Sequence, residues 1–115
     1  MKISYIMPCY MEEVYIYDSV LSIYSIMSDK DELIIMDGCS TDKTVKIIES
    51  LASNHNKRTV IKVSGIPPHE RMNNAVNMST GDIISWAFVD VYYPEKADIS
   101  RKHLKKYDFL DLSGS

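Results

Sequence analysis

The sequence predicts an α/β fold, a mainly parallel sheet with helices on both faces. Three observations carry this expectation. Segments of strand character alternate with segments of helical periodicity along the chain. Glu32 to Met36 (ELIIM) is continuously apolar after its first residue, as in a parallel strand covered on both faces. Strand-like runs end in turn signals, at Pro8, Asp37-Gly38 and Ser64-Gly65. Sequential strands joined through helices then call for right-handed crossovers.

Lys2 to Met7 (KISYIM) mixes β-branched and aromatic residues and is closed by Pro8, which makes it the first strand. From Glu12 to Met27, the residues Ile16, Val20, Ile23 and Met27 recur at helical spacing. Glu12 and Glu13 at its start complement the positive end of the helix dipole. Glu32 to Met36 is the second strand. Ser40, Thr41 and Asp42 are each good N-caps for a second helix with Val45, Ile48, Leu51 and Ala52 on one face. Thr59 to Val63 (TVIKV) is the third strand, after which Ser64-Gly65 and Pro67-Pro68 impose a loop. Met72, Ala75, Val76 and Ser79 mark a short third helix, Gly81 breaks it, and Asp82 to Val89 (DIISWAFV) reads as a fourth strand. A helix over Lys96 to Lys106 and a strand stub over Tyr107 to Leu112 complete the order.

At 115 residues the chain fits a single domain, residues 1–115, with one core. Hydrophobic residues at 45% and charged residues at 25% are ordinary for a globular domain, so no disordered or low-complexity segment is expected. A net charge of -3 and a pI of about 5.5 exclude the basic footprint of a nucleic-acid binder. The basic cluster Arg101, Lys102, His103, Lys105 and Lys106 reads as a solvated helix face. No apolar run approaches the ~20 residues that span a bilayer, and the N-terminus lacks a signal-peptide pattern; the expectation is a soluble, cytoplasmic protein. Cys9 and Cys39 lie in no metal-ligand spacing and are expected to be free.

In parallel α/β sheets, ligands bind outside the carboxyl ends of the strands. That places Pro8 to Tyr10, Asp37 to Asp42, Gly65 to Glu70 and Asp90 along one rim. The same segments carry a resemblance. Pro8-Cys9-Tyr10-Met11-Glu12-Glu13 and Ile34-Ile35-Met36-Asp37-Gly38-Cys39-Ser40-Thr41-Asp42 resemble the opening pair of motifs of family 2 glycosyltransferases. Glu70 to Val76, Ser79 to Ile84 and Asp90 to Pro94 resemble the family's third segment and the metal-binding turn that follows it. The resemblance covers about Lys2 to Glu95, with its four pieces in the family's order.

The resemblance implies a GT-A, Rossmann-like domain that binds a nucleoside diphosphate sugar and stops before the acceptor-binding half. It implies that Pro8 and Tyr10 border the base, that Asp37 accepts a hydrogen bond from it, and that Glu12 supports the nucleotide-binding edge. An ionised carboxylate is acceptor-only and suits a base that presents an N–H, as uracil does; UDP is the expected nucleotide. Glu70 is placed to reach the donor sugar. Arg71 is placed to pair with a phosphate, since a guanidinium fork matches phosphate oxygens, although the family sets its basic residue elsewhere. Asp90 is the implied metal ligand, for Mn²⁺ or Mg²⁺ on the diphosphate.

Departures from the family pattern temper this reading. Met11 stands where the family has asparagine, and Glu70 where aspartate is common. At Val89-Asp90 a second acidic residue is replaced or deleted, so one carboxylate remains of a usual pair. The general base of an inverting transferase comes from the half that would follow, and no catalytic residue is assigned. Two readings therefore stand side by side: a transferase domain acting on an unknown acceptor, and an inactive nucleotide-binding or interaction domain that keeps the fold. Either could meet a second copy or a second chain along an open sheet edge.

Overall fold

A computed structural model describes residues 1–89. They form four strands and three helices in alternation: β1 (Ile3–Cys9), α1 (Ile16–Ile26), β2 (Glu32–Asp37), α2 (Thr44–Asn54), β3 (Arg58–Val63), α3 (Pro68–Met78) and β4 (Ile83–Trp86). The expected helix at 96–106, the strand stub at 107–112 and Asp90 lie outside the described residues. The strands pair in parallel in the order β3-β2-β1-β4. The chain thus lays down β1 to β3 in one direction and then returns to the other side of β1.

The period-2 alternation of the strands sorts the core into two layers. Tyr5, Met7, Leu33 and Ile35 face α1 and α2, where they pack with Ile16, Val20, Ile23, Ile48 and Leu51. Ile6, Ile34 and Met36 face α3 through Ala75. Helices therefore cover both faces, as the sequence predicts. All six residues of β2 are buried, which explains its unbroken apolar run. Burying side chains such as Ile16 and Ile48 contributes roughly 1.5–3 kcal/mol each.

The boundaries differ from the sequence expectation in ways that have physical causes. β1 runs through Pro8 rather than stopping before it. The Ile6 carbonyl accepts the Ala87 N–H, so the even residues of β1 turn their backbone groups toward β4. Pro8 is the next even residue after Ile6, and β4 pairs with Ile3 to Ile6 only. The N–H that proline lacks would point beyond the end of β4, and the ladder loses nothing. α1 begins at Ile16 rather than Glu12; Glu12 lies in the preceding loop and its carbonyl accepts the Ile16 N–H at 2.8 Å. α3 begins four residues before Met72, with Pro68 in its first turn, where a missing N–H costs no intrahelical bond.

At the amino ends of the strands a buried polar knot closes the sheet. The Glu32 carboxylate is 1% exposed and accepts from Ser4 Oγ at 2.6 Å, Thr80 N at 2.7 Å and Thr80 Oγ1 at 3.0 Å. Arg58 Nε adds a contact at 3.3 Å. Burial alone would raise the Glu32 pKa, but these hydrogen bonds and the Lys2 charge outweigh it and the carboxyl is held below its ordinary value. Gly81 belongs to this knot: a Cβ there would lie 2.5 Å from Ser4 Oγ and 2.7 Å from its backbone nitrogen.

Candidate functional site

The loops that follow β1, β2 and β3 gather at the carboxyl edge of the sheet. Backbone bonds stitch them in sequence: the Gly38 N–H donates to the Cys9 carbonyl at 3.0 Å and the Ser64 N–H to the Asp37 carbonyl at 2.9 Å. Side chains of the second loop then satisfy the backbone of the first. Met11 N donates to Ser40 Oγ at 2.8 Å, Glu12 N to Thr44 Oγ1 at 2.9 Å and Glu13 N to Asp42 Oδ2 at 3.2 Å. Met11 and Cys39 hold left-handed backbone, φ 54° and 66°, so each loop turns sharply next to the strand end.

Asp37 is fully buried at the tip of β2. Its Oδ2 accepts the Ser40 N–H at 2.7 Å, and its Oδ1 accepts Ser40 Oγ at 2.6 Å and the Cys9 thiol at 3.4 Å. A carboxylate offers about four acceptor positions, so three protein donors leave one. The Cys9 thiol is pushed far up by burial and by the neighbouring Asp37 charge, which makes it an inert hydrogen-bond donor. Both cysteines are free, Cys9 buried and Cys39 exposed.

Around Asp37 stand the other residues singled out in the sequence. Pro8 is half-buried at the end of β1, and Tyr10 follows it with 57% of its surface exposed. Glu12 follows in the same loop, its carboxyl pKa raised by burial and by the Asp42 charge. Arg71, in the first turn of α3, reaches back over the β2 loop. Its Nη1 donates to the Ile66 carbonyl at 2.7 Å, and the guanidinium lies against Gly38. No acidic partner within ion-pair distance holds it among the described residues, and its buried Nε has no hydrogen-bond partner there. Glu70 is exposed, with its carboxylate 3.9 Å from His69. The structure thus brings Pro8, Tyr10, Glu12, Asp37 and Arg71 to one rim, with Glu70 exposed next to Arg71 in the first turn of α3.

The assignment of Ser40, Thr41 and Asp42 as caps of α2 is corrected in part. The N-cap residue of α2 is Lys43, without a side-chain cap bond, and of the three only Asp42 reaches the helix start, accepting from Thr44 N at 3.0 Å and from the Thr44 hydroxyl. Ser40 instead bridges Asp37 and Met11, and Thr41 donates to the Met11 sulfur at 3.3 Å. Sequence reasoning gave no sign of the contact between Gly38 and Arg71, residues 33 positions apart in the chain.

The sheet order also marks the place. β1 has β2 on one side and β4 on the other, so strand order reverses there, and open sheets bind ligands at such a reversal. Tyr10 after β1 and Phe88 after β4 are both exposed at that point. A profile of the family described as Glycosyl transferase family 2 matches residues 4–106. The chain belongs to glycosyl transferase family 2.

Solved structures agree with this family 2 assignment and with a GT-A sheet. TarS from S. aureus, in complex with UDP-GlcNAc, is 27% identical with a TM-score of 0.64, over 92% of this chain and 32% of that one. Glucosyl-3-phosphoglycerate synthase from Mycobacterium tuberculosis, in complex with Mn²⁺, UDP and glucosyl-3-phosphoglycerate, is 30% identical with a TM-score of 0.61, over 81% of this chain and 35% of that one. The mannosyltransferase PcManGT from Pyrobaculum calidifontis, in complex with GDP-Man and Mn²⁺, shares the fold at 22% identity and a TM-score of 0.71, over 89% and 31%. This family 2 chain spans about a third of the length of these three structures. No curated protein matches it in sequence.

Among the described residues no group of three His, Cys, Asp or Glu side chains could hold a metal ion. Asp90, the implied ligand for Mn²⁺ or Mg²⁺, lies outside the described residues, and no chemical step is assigned to a metal here. No helix of the described residues is long and apolar enough to cross a membrane.

Proposed function

We propose that this chain supplies the donor-binding part of a glycosyltransferase, taking a nucleoside diphosphate sugar with UDP as the nucleotide. The observation that carries the reading is the placement of Asp37. It ends β2 beside the strand-order reversal, paired with Cys9 just before the exposed Tyr10, with one acceptor position left after Ser40 and Cys9 are served. A base with an N–H between two carbonyls satisfies that position, whereas a base with a ring acceptor there would set two acceptors against each other. Tyr10 offers an aromatic face and Pro8 a rigid edge for the base. Glu12 and its bonds to the β2 loop keep the two loops in register. Arg71 offers the cationic fork for phosphate. Glu70 would meet the sugar only by turning inward. Asp90 would hold Mn²⁺ or Mg²⁺ with the diphosphate, which supplies charge neutralisation for the leaving group.

A thermal-shift series with uridine, guanosine, adenosine and cytidine diphosphates, each with Mn²⁺ and with EDTA, tests this. A ligand at 100 times its dissociation constant adds about 2.7 kcal/mol of stability. A selective rise with UDP supports the reading, and no rise with any nucleotide sinks it. The single carboxylate at Val89-Asp90 favours a second reading, nucleotide binding without transfer. A UDP shift that is the same in EDTA as in Mn²⁺ supports that one.

A further inference from the structure

We infer that the groove between α1 and α2 is a second binding site, which takes a small soluble anion: a phosphate ester carried on a short apolar body. The groove has a volume of about 460 Å³, inside the range of small-molecule sites, roughly 300–1,000 Å³. None of the residues assigned to the nucleotide lines it. One face of α2 forms its wall, where Lys43, Lys46, Ile47, Leu51 and His55 recur at helical spacing, and Tyr17 of α1 contributes the other side.

The lining sorts by chemistry along α2. Ile47 and Leu51, with the ring of Tyr17, supply an apolar floor. Lys43 is the N-cap residue and Lys46 lies one turn further on, and no acidic residue stands in that first turn. The two ammonium groups therefore add to the positive end of the helix dipole instead of offsetting it. Neither has an ion-pair partner among the described residues. The nearest carboxylates in sequence are committed to backbone: Glu13 accepts the Lys43 N–H at 3.3 Å, and Asp42 accepts those of Thr44 and Glu13. No Asp or Glu lines the groove, although the chain carries a net charge of -3. An anion bound there relieves a repulsion that the free chain carries. At the other end His55 is a fixed wall, its Nδ1 2.9 Å from the Leu51 carbonyl and its ring centroid 5.2 Å from that of Tyr24. At 1.5 Å of rise per residue, the nine residues from Lys46 to His55 leave about 13 Å for the apolar body. That length suits a short ester and not a long acyl chain.

Protein-observed NMR titration of the full chain with hexyl phosphate, inorganic phosphate and hexanol tests this, with melting temperatures as a control on folding. Hexyl phosphate is expected to bind more tightly than either of the others and to shift the amides of Ile47 and Leu51. K43Q/K46Q should weaken it about tenfold, the loss of a charged contact. Y17A, at an exposed ring, should weaken hexyl phosphate and leave inorganic phosphate unchanged. Hexyl phosphate that binds no better than inorganic phosphate overturns the inference. Folded K43Q/K46Q with wild-type affinity does the same, as do shifts confined to Gly38 and Ser40 on the strand rim. Sedimentation with phosphatidylcholine vesicles containing phosphatidylglycerol is the last arm. The chain is expected to stay in solution, and co-sedimentation that K43Q/K46Q abolishes would place a lipid headgroup in the groove and overturn the soluble ester.

Discussion

Glu32 opens the second strand as the one polar residue before an apolar run, and nothing local marks it as more than a strand boundary. Its role comes from residues far away in the chain, Ser4 and Thr80, which meet only once β1, β2 and β4 align. Because its folded pKa lies below the unfolded value near 4.3, the folded state binds this proton less tightly than the unfolded one. The stability it contributes is then complete above the unfolded pKa and is lost as pH falls through the depressed folded value. Denaturant melts of wild type and E32Q between pH 3 and pH 7 should show the wild type losing stability more steeply on the acid side. Equal slopes would mean that the Glu32 proton is not linked to folding. Asp37 teaches the complementary lesson: its rank as a candidate was legible from its place after a strand, but its complete burial and its service to Ser40 and Cys9 were not.

Element order and type were legible wherever burial follows a simple period. β2 declared itself by a continuous apolar run, and α1 by Ile16, Val20, Ile23 and Met27, which are 0%, 0%, 1% and 5% exposed. The errors fall at element ends, where long-range bonds decide. Glu12 and Glu13 read as a first helical turn, yet their N–H groups are claimed by Thr44 and Asp42 across the rim. Pro8 read as a stop because a sequence does not say which side of a strand its missing donor faces. The start of α2 depends on Asp42, which takes the Thr44 N–H with one oxygen and the Glu13 N–H with the other. Replacing it with alanine should fray α2 and loosen the first loop together, with a Tm loss on the order of 5 °C, while D42N, which keeps a capping oxygen, should retain most of the stability. A melt in which D42A matches the wild type would assign the α2 start to other bonds.

The assembled sheet leaves β3 with a partner on one side only among the described residues. Such an edge invites pairing with another strand, from a second copy or from a second chain. The residues on β3 oppose the first of these. Arg58 and Lys62 are exposed at its two ends, with Val63 51% exposed beside the second. An antiparallel pairing of two β3 edges would set these cations near their counterparts, and like charges placed opposite one another destabilise a ladder. Arg58 is partly neutralised by Glu32, which leaves Lys62 as the main obstacle. The chain should therefore sediment as a monomer at micromolar concentration, and K62V, which joins a second β-branched residue to Val63 and removes the charge, should shift it toward larger species. A wild-type dimer that persists on dilution and is indifferent to K62V would place the self-contact on another face, and the β3 edge would then be free for a strand of a different chain.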